Sequence, residues 1–273
     1  MDKRTGLIIL SVIVLLIMLL FPLDLLMVPN VSPLEYLELK PFVEVGNITV
    51  IVPSSTIIVY ILGIVTIFIG IKLFRNIEPY KRYWGIALIL WGIGTILAGT
   101  SYQGLGYQLK CEGQTLCLFT SWFELSYLYV TGLSIMIMGY AVALKSVNSD
   151  YIKRYSKIIY IGFIIYTLSL ITGVIFSIKF LVTYEWFLLL FLPYFISFMV
   201  INVKRFRLDK TLIDKKLMNV WISMLVINIL YFVYFYSGIA ELLYNDFNIW
   251  FSANDVLHVG LIPWMIYIYH SLK

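Results

Sequence analysis

Charge is scarce in this chain. Asp, Glu, Lys and Arg make up 13% of its 273 residues, while 61% are hydrophobic, against soluble-domain averages of roughly 25% and 45–50%. At a mean hydropathy of +0.93, too few polar side chains remain to cover a surface facing water. That excludes soluble dinucleotide-binding, zinc-finger and nucleic-acid-binding classes. Cysteine is almost missing: Cys111 and Cys117 alone cannot build an iron–sulfur cluster, a four-cysteine zinc site or a disulfide-dense scaffold. Histidine is limited to His258 and His270, which sit about 18 Å apart along one helix and so cannot share a metal within one chain. No lysine stands in the middle of an apolar run, which excludes a Schiff-base pigment. The net charge of +5 does not point to a nucleic-acid partner, because the basic residues lie in short groups between apolar blocks.

Long apolar runs dominate what is present. A window of about 19 residues finds them near 6–27, 55–74, 83–103, 118–144, 157–178, 182–203, 217–239 and 249–269. Backbone amides in hydrocarbon must bond within their own segment, so such runs predict helices and not a barrel. The expected fold is all-α: a polytopic transmembrane bundle of eight helices in contact with membrane lipids. It has an N-terminal helix over 1–28, an outer loop over 29–54 and a seven-helix core over 55–273. The first run resembles a signal peptide in having Lys3 and Arg4 before it. No small-residue cleavage site follows, and Pro22, Asp24 and Pro29 end it, so it reads as a retained helix. In the outer loop, Phe42–Val45, the turn residues Gly46 and Asn47, and Ile48–Ile51 have the pattern of a short hairpin.

Basic residues orient the bundle. All of them fall in the first, third, fifth, seventh and ninth inter-span segments except Lys40, Lys110 and Lys179, which places both termini inside the cell. The two cysteines then lie in an outer loop, where a disulfide is permitted; the alternative is two unpaired thiols. The sequons at Asn30 and Asn47 lie in another outer loop and add little. Gly85, Gly92, Gly94 and Gly99 in the third span allow close helix approach and predict a central position for it, although small residues are common in membrane helices generally.

Ionisable residues inside the spans point to function, since they are costly there. Counted from the apolar runs, Glu124 and Asp255 lie about 9 Å deep and His258 about 14 Å, all entering from outside. Ser252, Asp255 and His258 share a helix face, with Asn254 four residues before the histidine. The third span leaves the membrane through Ser101, Tyr102, Gln103 and Gln108, and the fourth enters through Trp122 and Glu124. These residues predict one outward-facing polar pocket between the third, fourth and eighth spans. The competing readings are a structural interhelical hydrogen-bond network and ordinary interface residues reaching headgroup water. A proton-coupled transporter is disfavoured because the inner halves of these spans offer almost no polar groups.

The runs Gly99-Thr-Ser-Tyr-Gln-Gly-Leu-Gly-Tyr-Gln-Leu-Lys-Cys111, Thr120-Ser-Trp-Phe-Glu124 and Asn254-Asp-Val-Leu-His-Val-Gly-Leu261 resemble archaeal polytopic membrane proteins, a likeness that implies no activity. A more distant similarity is to the CREST superfamily of alkaline ceramidases and progesterone and adiponectin receptors. Those are seven-helix hydrolases or receptors holding zinc on histidines and an aspartate. The resemblance places Ser101, Glu124 and His258 on comparable helices. The chain departs from the pattern with Gln103 near the position of one histidine, and with Asn254 or Ile262 where a second would pair with His258. The resemblance therefore implies a zinc ion held by His258, Asp255 and Glu124, with bound water attacking a lipid amide or ester and Ser101 or Gln103 steadying the oxyanion. The alternative is non-enzymatic binding of a lipid or small amphiphile in the same pocket.

Overall fold

The computed structural model describes residues 31–38, 40–146 and 149–273. The expected first span and Asn30 lie outside the described residues. Within them the chain forms α1 (Pro33–Glu38), a hairpin of β1 (Phe42–Val45) and β2 (Ile48–Ile51), then α2 (Pro53–Phe74) and α3 (Pro79–Gly99). After α3 come a π-turn at Thr100–Gly104, α4 (Gly106–Lys110), α5 (Trp122–Ser146) and α6 (Ser149–Ile175). A 3₁₀ turn at Lys179–Val182 leads to α7 (Tyr184–Asp209), α8 (Leu212–Ser237), α9 (Ile239–Phe247) and α10 (Ala253–Leu272). The protein is an all-α, multi-pass membrane bundle: six of these helices, α2, α3, α5, α6, α7 and α8, are long and apolar enough to cross a bilayer.

Helix α10 is not among the six. Its 20 residues span about 30 Å, the thickness of a hydrocarbon core, but Asn254, Asp255, His258 and Pro263 dilute its hydropathy. It is held by packing instead. Leu257, Leu261, Trp264 and Ile268 form a buried stripe, and the Trp264 indole donates to the Val220 carbonyl of α8 at 2.7 Å.

Helices α3 and α5 are central, buried over 61% and 67% of their apolar stretches against 22% for α8. Glycine spacing explains the tightest contact. Gly63 and Gly70 on α2, and Gly85, Gly92 and Gly99 on α3, recur every seven residues and so stay on one face of each helix. A methyl group on Gly85 would meet the Phe74 backbone nitrogen at 2.4 Å, and one on Gly92 the Gly63 carbonyl oxygen at 2.7 Å. The two backbones touch where side chains are absent.

The hairpin pairs antiparallel, with Phe42 opposite Ile51 and Val45 opposite Ile48. Gly46 takes φ +63° at its turn, a conformation free of steric cost only for glycine. Cys111 and Cys117 form a disulfide with an S–S distance of 2.01 Å. Cys117 N–H donates to the Val31 carbonyl at 3.0 Å and Val52 N–H to the Pro41 carbonyl at 2.8 Å. Hairpin, α1, α4 and disulfide loop thus cap one end of the bundle. At the opposite end buried Asn202 joins two helices, accepting from the Trp221 indole at 2.9 Å and donating to Asp214 at 3.2 Å.

Candidate functional site

Below the capped end lies a hollow of about 350 Å³. The long helices line it from mid-helix to the end nearer the hairpin, through Val59 of α2, Trp91 and Thr95 of α3, Thr131 of α5, Phe187 of α7, Tyr231 of α8 and Leu261 of α10 among others. Apolar and aromatic side chains form most of the wall, the usual makeup of a small-molecule site.

Of the residues singled out from sequence, Tyr102, Gln103, Glu124, Asn254 and His258 line this hollow. Glu124 and His258, contributed by different helices, therefore face the same space. The π-turn delivers the first two: Leu105 N–H reaches back five residues to the Thr100 carbonyl at 2.7 Å. The wider turn is a feature found often at functional sites. Gln103 is buried at 4% exposure, yet its Oε1 has no hydrogen-bond partner. The same holds for Thr131 Oγ1 and His258 Nδ1. Buried polar atoms are seldom left unmatched, and three of the residues that carry one line a single hollow, so that a side-chain rotation would turn each atom toward it.

Other expected site residues are elsewhere. Helix α10 begins at Ala253 and not near residue 249, so Asp255 lies in its first turn and not about 9 Å deep. It forms a capping box: Asp255 Oδ2 accepts from Ser252 N–H at 2.6 Å and from Ser252 Oγ at 2.8 Å, while Ser252 Oγ accepts from Asp255 N–H. This satisfies otherwise orphaned amide donors at the helix start. Gln108 sets its side-chain amide against the Thr49 backbone carbonyl and N–H and so ties α4 to the hairpin. Trp122 packs against the core. Ser101 is fully buried behind Glu124, donating to its Oε1 at 2.9 Å and paired with Ser121 at 2.5 Å.

Glu124 is the third residue of α5, about 3 Å along it, shallower than its apolar run implied. Its Oε1 also accepts from Lys110 Nζ at 2.8 Å, with the two side chains only 3% and 9% exposed. Burial alone would lower the Lys110 pKa. The facing Glu124 carboxylate and Tyr36 phenol outweigh burial and hold the ammonium above the usual lysine range. In the sequence Lys110 is one of only three basic residues on the sparse side, and that rarity is the signal available.

The donor set does not fit the zinc ion that the CREST resemblance implies. Among the described residues no three His, Cys, Asp or Glu side chains are grouped to hold a metal. Glu124 is occupied by a lysine, and Asp255 caps its own helix.

Comparison with protein-family models, curated proteins and solved structures yields no match.

Proposed function

We propose that this protein is a multi-pass component of the cell membrane that binds a small amphiphilic molecule, without altering it, in the hollow beneath the capped end. One observation carries this reading: the unmatched Gln103 Oε1, Thr131 Oγ1 and His258 Nδ1 belong to side chains that line a mostly apolar and aromatic wall. A hydroxyl or amine of a bound molecule would donate to these acceptors, and its apolar body would replace water against Trp91, Leu261 and Phe187. In this reading eight helices cross the membrane, α10 and the first apolar run included, with both termini cytoplasmic. The dense basic groups and the disulfide at the opposite end support that orientation.

The test is native mass spectrometry of the purified protein released from several chemically different detergents. A retained amphiphile of constant mass is expected in all of them. Gln103→Leu and Thr131→Val together are expected to lose it. Asp255→Asn is expected to keep it, because that residue serves the helix start. Absence of any common adduct overturns the proposal.

A further inference from the structure

The wall of the central hollow between α7 and α8 is one side chain thick. Glu185, Leu188, Phe195 and Met224 line the hollow and also line a second one of about 310 Å³. The second hollow opens on the perimeter of the bundle, where its lining residues Leu189, Leu192, Ile196 and Phe232 are 58%, 45%, 45% and 41% exposed. On α7 its lining runs from Glu185 to Met199 and on α8 from Trp221 to Phe232, lengths of about 21 Å and 17 Å at the helical rise. One leaflet of hydrocarbon is about 15 Å deep, half of a 30 Å core. The groove therefore starts at the capped end and descends by about one acyl-chain depth, and all of its lining except Glu185 and Asn228 is apolar.

Charge narrows the headgroup. The ionisable residues lining the two hollows, tyrosines aside, are Glu124, Glu185 and His258; no lysine or arginine lines either. Lys110 already pairs with Glu124, which leaves the exposed Glu185 carboxylate at the junction. A phosphate or carboxylate would meet like charge at Glu185, while the nearby cations are taken up elsewhere, Lys110 by Glu124 and Lys179 over the Phe119 ring.

We infer that the ligand is a lipid-derived amphiphile drawn sideways from the bilayer. One alkyl chain lies in the groove between α7 and α8, and a headgroup bearing hydroxyl or amine groups and no negative charge reaches the central hollow. Met224 and Phe195 form the partition; the unbranched thioether of Met224 changes shape at little cost, which allows the two spaces to join. This inference rests on the amphiphile-binding reading above and names its ligand class and entry route.

The experiment compares dissociation constants for butylamine, dodecylamine, dodecan-1-ol and laurate on the full-length protein. The protein is held in lipid nanodiscs, and empty nanodiscs are measured in parallel so that partitioning into lipid is subtracted. Dodecylamine and dodecan-1-ol are expected to bind at least tenfold tighter than butylamine, and laurate at least tenfold weaker than dodecylamine. Leu192→Trp or Ile196→Trp, each filling the groove from a lipid-facing position, is expected to bring dodecylamine down to the butylamine value. Equal binding of both amines, unchanged in the tryptophan variants, overturns the groove and leaves the central hollow standing as a headgroup site. Laurate binding as tightly as dodecylamine overturns the headgroup assignment. Binding of none of the four overturns both this inference and the reading on which it rests.

Discussion

Changing Lys110 to Met removes the cation that faces Glu124 at 2.8 Å and leaves a 3%-exposed carboxylate with the Ser101 hydroxyl as its remaining side-chain donor. Breaking a buried pair from one side costs about 3–5 kcal/mol, because the surviving charge stays desolvated. Glu124→Gln should cost a similar amount by stranding the ammonium. The double variant Lys110→Met, Glu124→Gln removes both charges and should lie within about 1 kcal/mol of the wild type, since neutral replacement of a buried pair is often close to harmless. The coupling in the cycle should then be at least about 5 kcal/mol, the two single losses less the small loss of the double variant. Purified protein unfolded by heat or denaturant and followed by tryptophan fluorescence measures all four species. The pH dependence has a definite sign. The folded pKa of Lys110 is raised above its unfolded value of about 10.4, so its contribution is complete below that value and is lost only as pH rises through the folded pKa. The wild type should show no loss from the Lys110 ammonium up to about pH 9. Single variants costing under about 1 kcal/mol, or a double variant costing the sum of the singles, would refute the assignment of Glu124 to a structural ion pair.

Gly85→Ala drives a methyl group to 2.4 Å from the Phe74 backbone nitrogen, which has no rotamer with which to move aside, so a loss of about 1–3 kcal/mol is expected. Gly260→Ala meets only the Ile227 side chain at 3.0 Å and should cost less than about 1 kcal/mol; equal losses in thermal unfolding would contradict the backbone-contact account. For orientation, Glu44→Cys on the exposed hairpin and Leu208→Cys, at a position 79% exposed near the opposite end, should differ toward a membrane-impermeant maleimide. Labelling of intact cells is expected at 44 alone, with 208 reacting only after lysis, and the reverse pattern inverts the topology.

Membrane residence, the helical class and the approximate helix positions follow from composition and run length alone, because a bilayer forces its solvent requirement onto every consecutive residue of a span. The seven-residue glycine repeat in Gly85, Gly92 and Gly99 was visible for the same reason: a helix turns periodicity in the chain into a face in space. Ser252-Ala-Asn-Asp255 also carried a readable signature, that of a capping box before an apolar run, but counting depth from the hydropathy edge made Asp255 look buried in the membrane. The meeting of Glu124 with Lys110, fourteen residues apart, and the placing of Thr131, Trp91 and Glu185 around one space were decided by tertiary structure alone. A side chain's partner across helices depends on how each helix is rotated and where it starts, and a shift of about four residues in the start of α10 moves the Asp255 carboxylate from a ligand's reach to the Ser252 N–H of its own helix cap. Hydrophobic pattern sets which segments cross the membrane, and only packing settles which polar atoms they leave facing a common hollow.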